Sequence, residues 1–341
     1  MGTYMARRLV ARFSPLSRLG TPPSPRSSHG VSVHNSMLYV VGGEGEARKP
    51  IDMAVHILPL QDPAAEWRKV EHNDSSPPVR FGHAQAVAGG KLMLFGGRAG
   101  TQMEEAILDD LWSFDFGSES WAPVQSSSGS APSPRSYHAA TAVGDKLYLF
   151  GGCGVSGRMS DLHEFCTSSN TWRRLPDAPV SGRGGGALES SSDGTGLWLL
   201  GGFDGGETRD VLRYDIATAE WKSHPSDWLR PRSVTASFSL SGSILAFGGE
   251  VEPSAEGHEG AGAFADDMVA IDSSTGEQLP VSVISQAADR SLPEARGWGG
   301  AAAVSGSQAV LFGGLAGSDE APRRLEDGWQ VTLKLQAARP W

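Results

Sequence analysis

A pair of glycines ends an apolar run six times along this chain, at positions 42-43, 96-97, 151-152, 201-202, 248-249 and 313-314. The steps between copies are 54, 55, 50, 47 and 65 residues. Self-similarity at a period near 50 means a unit that cannot bury its apolar faces alone and stacks against copies of itself. The clearest copy runs from Arg135 to Trp172. Tyr137 to Val143 alternates in polarity, Gly144-Asp145 turns, and Lys146 to Phe150 stops at Gly151-Gly152. Asp161 to Phe165 makes a third run, and a polar turn at 167–170 leads to Trp172 and a fourth. Four short strands, each bounded by turn residues, form one antiparallel sheet. Six such sheets predict an all-β, six-bladed propeller.

The repeats settle the domain count where length alone would mislead, since 341 residues would ordinarily suggest about two domains. The last unit supplies three strands, at 300–304, 309–312 and 329–333, and lacks a fourth. The segment Leu9 to Leu16 (LVARFSPL) is predicted to fill that place and close the ring, leaving no free sheet edge. The division is a short extension over 1–8 and a single propeller over 9–341, with no stretch set aside for an adaptor domain. Residues 1–43 contain no acidic residue and carry Arg7, Arg8, Arg12, Arg18 and Arg26, which leaves a short organellar targeting extension as the alternative for the first residues.

Net charge is −10 with no dense Lys/Arg patch, which argues against a nucleic-acid partner. No apolar run reaches the ~18 residues of a membrane span. The two cysteines, Cys153 and Cys166, lack CxxC spacing and read as reduced thiols of a cytoplasmic protein.

The double glycine, the strand of Asp110-Leu-Trp-Ser-Phe-Asp115 type, and a spaced tryptophan together resemble the kelch repeat. The tryptophans at 67, 121, 172 and 221 follow the second glycine by 24, 24, 20 and 19 residues; unit five has none in its outer strand. Each is expected to pack between adjacent sheets. Strand direction then places every post-glycine loop and every connection into an inner strand on one face. That face receives the residue preceding each inner strand, an arginine in all six units: Arg26, Arg80, Arg135, Arg183, Arg232 and Arg296. Guanidinium forks suit carboxylate, sulfate or phosphate. Two readings stay open, a positive funnel for a small anionic ligand and a set of braces to backbone carbonyls. His29, His83 and His138 follow three residues later and are expected between blades.

Unit five carries an exceptional loop, GGEVEPSAEGHEGAGAF at 248–264, with Glu250, Glu252, Glu256, His258 and Glu259 inside ten residues. Carboxylates with one imidazole suit a divalent metal, and such loops are also often simply solvated. The Gly-Gly-Glu start, the Pro, the His eight residues after the Glu, the following Gly-x-Gly, and Ala295-Arg-Gly-Trp298 resemble the plant nitrile-specifier and thiocyanate-forming proteins. That resemblance implies Fe(II) held by a Glu-x3-Asp-x3-His motif. Here it falls on Glu250, Ser254 and His258, with serine in place of the family aspartate and Glu252 or Glu256 as a substitute ligand if the loop moves. It also implies catalytic roles for Arg80 and Arg135 in holding a sulfate leaving group; the funnel reading adds Arg26, Arg232 and Arg296 as ligand-binding positions. The expected function is a kelch propeller of the nitrile-specifier-like family that binds a small anionic ligand or a protein partner on the loop face. The alternatives are an Fe(II)-dependent lyase that diverts glucosinolate aglycones to nitriles, and a non-catalytic interaction scaffold.

Overall fold

In the computed structural model, which describes residues 8–16, 20–100 and 106–336, the chain is almost entirely β and forms six blades around an axis. The targeting extension expected ahead of residue 9 falls almost wholly outside the described residues. Blade three shows the plan: Ala139–Val143, Lys146–Gly154, Gly157–Cys166 and Thr171–Leu175 pair antiparallel in that order from the axis outward. Blades one, two and four repeat it.

Blade six is closed by the N-terminal segment. Arg8–Pro15 lies antiparallel on Ala321–Gln336, from Arg8 opposite Gln336 to Pro15 opposite Trp329. Leu9, Ala11 and Phe13 point into the core it shares with blade five, and each is almost fully buried. The same strand takes a second neighbour: Val281–Ser285 pairs with it in parallel, Leu9 with Val281 through Phe13 with Ser285. Blade five therefore keeps a sheet of three strands, Ala236–Leu240, Ser243–Phe247 and Met268–Asp272, and its outer chain crosses to blade six after the bridge between Ile271 and Gln278. This is the unit without an outer-strand tryptophan.

Elsewhere the tryptophans pack on the preceding blade. Trp67 lies 5.5 Å from Phe312, Trp172 5.5 Å from Phe95 and Trp221 6.0 Å from Phe150, by ring centroids. Trp121 joins Tyr39, Val41 and Ile57 of blade one. A buried aromatic of this size brings a large apolar area into the seam between two sheets.

The double glycine and the leading arginine form one stitch. The second glycine of each blade donates its N–H to the carbonyl of the next blade's arginine, as Gly43 does to Arg80 (3.0 Å) and Gly314 to Arg26 (2.9 Å). The first glycine lies so close that a Cβ on Gly248 would stand 2.3 Å from the Arg296 oxygen, and its φ is +67°. Only glycine meets both conditions.

The six arginines face inward to this stitch. Each is at most 2% exposed. Arg135 is typical: Nη1 donates to the Gly151 carbonyl (2.9 Å) and Asp161 (2.7 Å), Nη2 to Asp161 (2.9 Å), and Nε to the Ser133 carbonyl (3.0 Å). Arg80, Arg232 and Arg296 repeat this on Asp110, Asp267 and Asp327, and Arg183 reaches Asp210 and Thr208 through Nη1. Arg26 reaches Asp52 at 3.4 Å. The structure thus corrects the funnel reading: Arg80 and Arg135 as sulfate holders, and Arg26, Arg232 and Arg296 as ligand-binding groups, are instead braces within their own blades. A buried guanidinium requires a carboxylate and carbonyls around it, and these six have both. His29, His83 and His138 are buried beside Phe312, Gly42 and Gly96 of the preceding blades, as expected; burial pushes His29 and His83 down to about 3, so both are neutral.

Candidate functional site

Two rings of positions beside the braces build a cup on the face of the post-glycine loops. The first ring is the residue after each Gly-Gly: Glu44, Arg98, Cys153, Phe203, Glu250 and Leu315. Each forms an isolated backbone bridge with the residue after the leading arginine, namely Ser27, Phe81, Ser136, Gly184, Ser233 and Gly297. These bridges fasten the base of every loop to an inner strand, so six side chains of five kinds are set around the axis.

The second ring lies two residues after each arginine: Ser28, Gly82, Tyr137, Gly185, Val234 and Trp298. All six have positive φ, at 56, 60, 55, 63, 48 and 59°. Each donates its N–H to the carbonyl of the preceding blade's member, at 2.7 to 2.9 Å, and Ser28 closes the circle on Trp298. The result is a continuous belt of six backbone hydrogen bonds around the axis. Left-handed backbone costs a bulky or β-branched residue about 1–3 kcal/mol. The chain nonetheless holds Tyr137, Val234 and Trp298 there, and strain of this kind gathers where side chains must be aimed.

Those three side chains line a cavity of about 370 Å³. Every blade contributes: Arg48, Arg98, Cys153 with Arg158, Phe203, the strap 250–260, and Leu315. A smaller space of about 140 Å³ shares Tyr137, Gly185, Val234 and Trp298 with it and is lined further by His29, His83 and His138 of the inner strands. The belt is the neck between the two. Arg98 is buried in the wall, and Arg158 is exposed at the rim, its guanidinium 4.6 Å from the Phe203 ring centre. Burial pushes the Cys153 thiol up, against the pull of Arg158 and Arg98.

The carboxylates of the cup are in opposite states. Burial pushes Glu250 up to about 7. Burial, opposed by Ser233 and reinforced by Glu250, pushes Glu207 up to about 8. Burial also raises Glu44, but His258, the Ser28 hydroxyl and the Arg48 N–H outweigh it and hold this carboxyl below the usual range.

The strap of blade five does not bring its sequence-predicted ligands together. His258 Nε2 lies 3.0 Å from both oxygens of Glu44, on blade one, and 3.3 Å from the Tyr137 hydroxyl. Ser254 Oγ accepts from the Glu256 N–H (3.0 Å), and its hydroxyl bonds Asp319 of blade six. Asp319 also receives the N–H groups of Ala255, Ala261 and Gly262 and is held at about 2 by these contacts. Glu250 accepts the Ser254 N–H at 3.3 Å, and Glu256 points to solvent. Among the described residues no three His, Cys, Asp or Glu side chains converge as a metal site. With the imidazole of His258 turned to Glu44 on another blade and Ser254 bonded to Asp319, Glu250 is left as a single oxygen donor, and this arrangement does not fit Fe(II).

Several positions of the cup were given no site role by the sequence: Glu44, Arg48, Arg98, Tyr137, Arg158 and Trp298, the last noted only within Ala295-Arg-Gly-Trp298. A signal was present for four of them. Each unit keeps its Arg and Gly-Gly, while the residue just after Gly-Gly and the residue two after Arg vary among the units.

The KLHDC2/KLHL20/DRC7 Kelch-repeats domain matches residues 28–249. The N-(sulfonatooxy)prop-2-enimidothioate sulfolyase of Thlaspi arvense is 28% identical over 297 residues, 80% of this chain and 84% of that protein. The mouse leucine-zipper-like transcriptional regulator 1 is 28% identical over 247 residues, 68% of this chain and 29% of its own length. The solved structure of YjhT aligns with a TM-score of 0.69 over 92% of this chain and 98% of that one, at 18% identity, a likeness of fold. Among the described residues no helix is long and apolar enough to cross a membrane.

Proposed function

Since the chain belongs to the Kelch-repeat family, whose repeated sheets are a scaffold open to many uses, we propose that its own function resides in the cup, as a receptor for a small anionic organic molecule. The observation that carries this reading is the lining: Arg48, Arg98 and Arg158 stand around one cavity walled by Tyr137, Phe203, Val234, Trp298 and Leu315. Guanidinium groups on an apolar wall match an anion carried on an apolar body. The name of the Thlaspi relative supports the class, since its substrate joins a sulfonatooxy group to a short unsaturated chain. The cavity is too narrow for a folded partner and admits a small molecule or a single side chain. The free cysteines fit a reducing, cytoplasmic setting.

The test is calorimetric titration with a short alkyl sulfate. Binding is expected, with a loss of about tenfold or more in Arg98→Ala and in Arg158→Ala, as for a charge-assisted contact. Absence of binding, or affinity unchanged in both variants, overturns the reading. A second reading, sulfate elimination by the protein, is favoured by the match over 80% of the chain. It requires sulfate release from that sulfonatooxy substrate above the rate without protein; equal rates reject it.

A further inference from the structure

The site of His258 is a cage built by four other blades. Phe81 of blade two stacks on the imidazole, with ring centres 6.2 Å apart at 27°. Tyr137 of blade three stands 5.7 Å away at 53°, and Trp298 of blade six 5.3 Å away at 86°. Glu44 of blade one closes the back. It is 1% exposed and takes hydrogen bonds from Ser28 Oγ (2.8 Å), Ser27 Oγ (3.3 Å) and the Arg48 N–H (2.7 Å). Both its oxygens are 3.0 Å from His258 Nε2, which therefore carries the proton between them.

Without His258, this place is an ionised carboxylate at the bottom of a well with three aromatic walls. Such a well has one matching chemistry. Ring faces attract a cation within about 6 Å, and a buried carboxylate requires a positive or proton-donating partner. The imidazole arrives from outside the well, on a strap whose root is held by Asp319 and whose tip is a single turn, Gly257–Glu259. It is a plug made of the chain itself.

We propose that Glu44, Phe81, Tyr137 and Trp298 form a receptor for an organic cation, an ammonium or imidazolium group, and that His258 is its intramolecular occupant, displaced when such a ligand binds. The cationic groups that share the cavity are the side chains of Arg48 and Arg98 in its wall and Arg158 at its rim. They disfavour a bare cation and favour one whose own anionic group turns toward them, so the full ligand of the cup is a zwitterion. This goes beyond the anion reading and does not depend on it: the cage is read by cations in a His258 variant, the arginines by alkyl sulfate.

His258→Ala empties the cage. Calorimetric titration with imidazole at a mildly acidic pH, where it is protonated, is expected to show binding to His258→Ala at least about tenfold tighter than to the wild type. Adding Glu44→Gln is expected to remove that gain. Equal affinity of wild type and His258→Ala, or of His258→Ala with and without Glu44→Gln, overturns the receptor. Because a folding defect in the variant would obscure this, the wild type supplies a second measurement. Tetramethylammonium chloride is expected to raise hydrogen exchange in the strap, residues 253–262, where equimolar sodium chloride does not. No difference between the two salts overturns the displacement.

Discussion

The braces and the cup occupy neighbouring positions of one repeat, yet the repeat treats them differently. Arg, Gly-Gly and the partnering Asp recur in every blade, and in each the arginine Nη1 donates to the carbonyl of the first glycine while the second glycine donates to the next arginine's carbonyl. One residue beyond Gly-Gly, and two beyond Arg, the backbone is just as regular, but the side chains are Glu, Arg, Cys, Phe, Glu and Leu in one ring and Ser, Gly, Tyr, Gly, Val and Trp in the other. Sixfold identity marks what any copy needs in order to stack. Variation on an unvaried backbone marks what the molecule needs only once. If the distinction is sound, changes at repeated positions cost stability, and changes at varied positions alter ligand binding with little cost.

The largest effect is expected where the ring closes. Removing residues 8–16 strips one strand from blade six, leaves Val281–Ser285 without its partner and exposes the surfaces that Leu9, Ala11 and Phe13 cover. Loss of cooperative thermal unfolding is expected by circular dichroism; a midpoint within a few degrees of the wild type would show that the closing strand is dispensable. Next comes a single brace. Arg135→Ala leaves Asp161, 16% exposed, without its guanidinium, and breaking a pair of this kind costs about 3 kcal/mol. Arg135 and His163 together overcome burial and hold the Asp161 carboxyl well below the usual range. Its contribution is therefore present above the unfolded carboxyl pKa and lost as pH falls below about 4, so the wild type should lose more stability in acid than the variant does. Denaturant titrations at neutral and acid pH check both statements.

The pattern reverses at Glu207. Its carboxyl is raised by burial to about 8, so the folded state holds a proton that the unfolded chain has lost. Stability is then full below the ordinary carboxylate pKa and declines as pH rises toward 8. Glu207→Gln is expected to remove that slope and to be more stable than the wild type at pH 8 by about 1 kcal/mol. A variant that is less stable across the whole range would make Glu207 part of the scaffold.

What the chain disclosed follows the same division. The Gly-Gly spacing and the apolar runs were legible because they recur, and recurrence needs no knowledge of contacts. The closing strand Leu9 to Leu16 was legible because unit six lacked a fourth run. The arginines stayed open between a ligand and a brace, since their carboxylate partners stand 26 to 35 residues away and only the fold brings them within 3.4 Å. The strap was noticed for Glu250 and His258, yet the partner of His258 is Glu44, 214 residues distant. Spacing along one loop cannot reveal a contact made across the axis. Nor could it show that Asp110-type residues, read only as part of a strand motif, are what keeps the arginines from the cavity.

The smallest effect, and the finest test of the comparison, belongs to the belt. Val234 holds φ +48°, a conformation that β-branched residues avoid, and it is only half-buried. Gly82 and Gly185 occupy the equivalent places with the same hydrogen bonds. Val234→Gly keeps the belt, relieves backbone strain of about 1–3 kcal/mol, and gives up apolar contact together with the greater chain entropy of glycine, each on the order of 1 kcal/mol. These terms nearly cancel, so the denaturation midpoint should stay close to that of the wild type while alkyl sulfate affinity changes through the widened wall. A loss of stability above about 2 kcal/mol would mean that the valine side chain is held there by the fold. Near-neutral stability with altered binding would mean that the fold tolerates the strain at this position because the cavity needs the side chain.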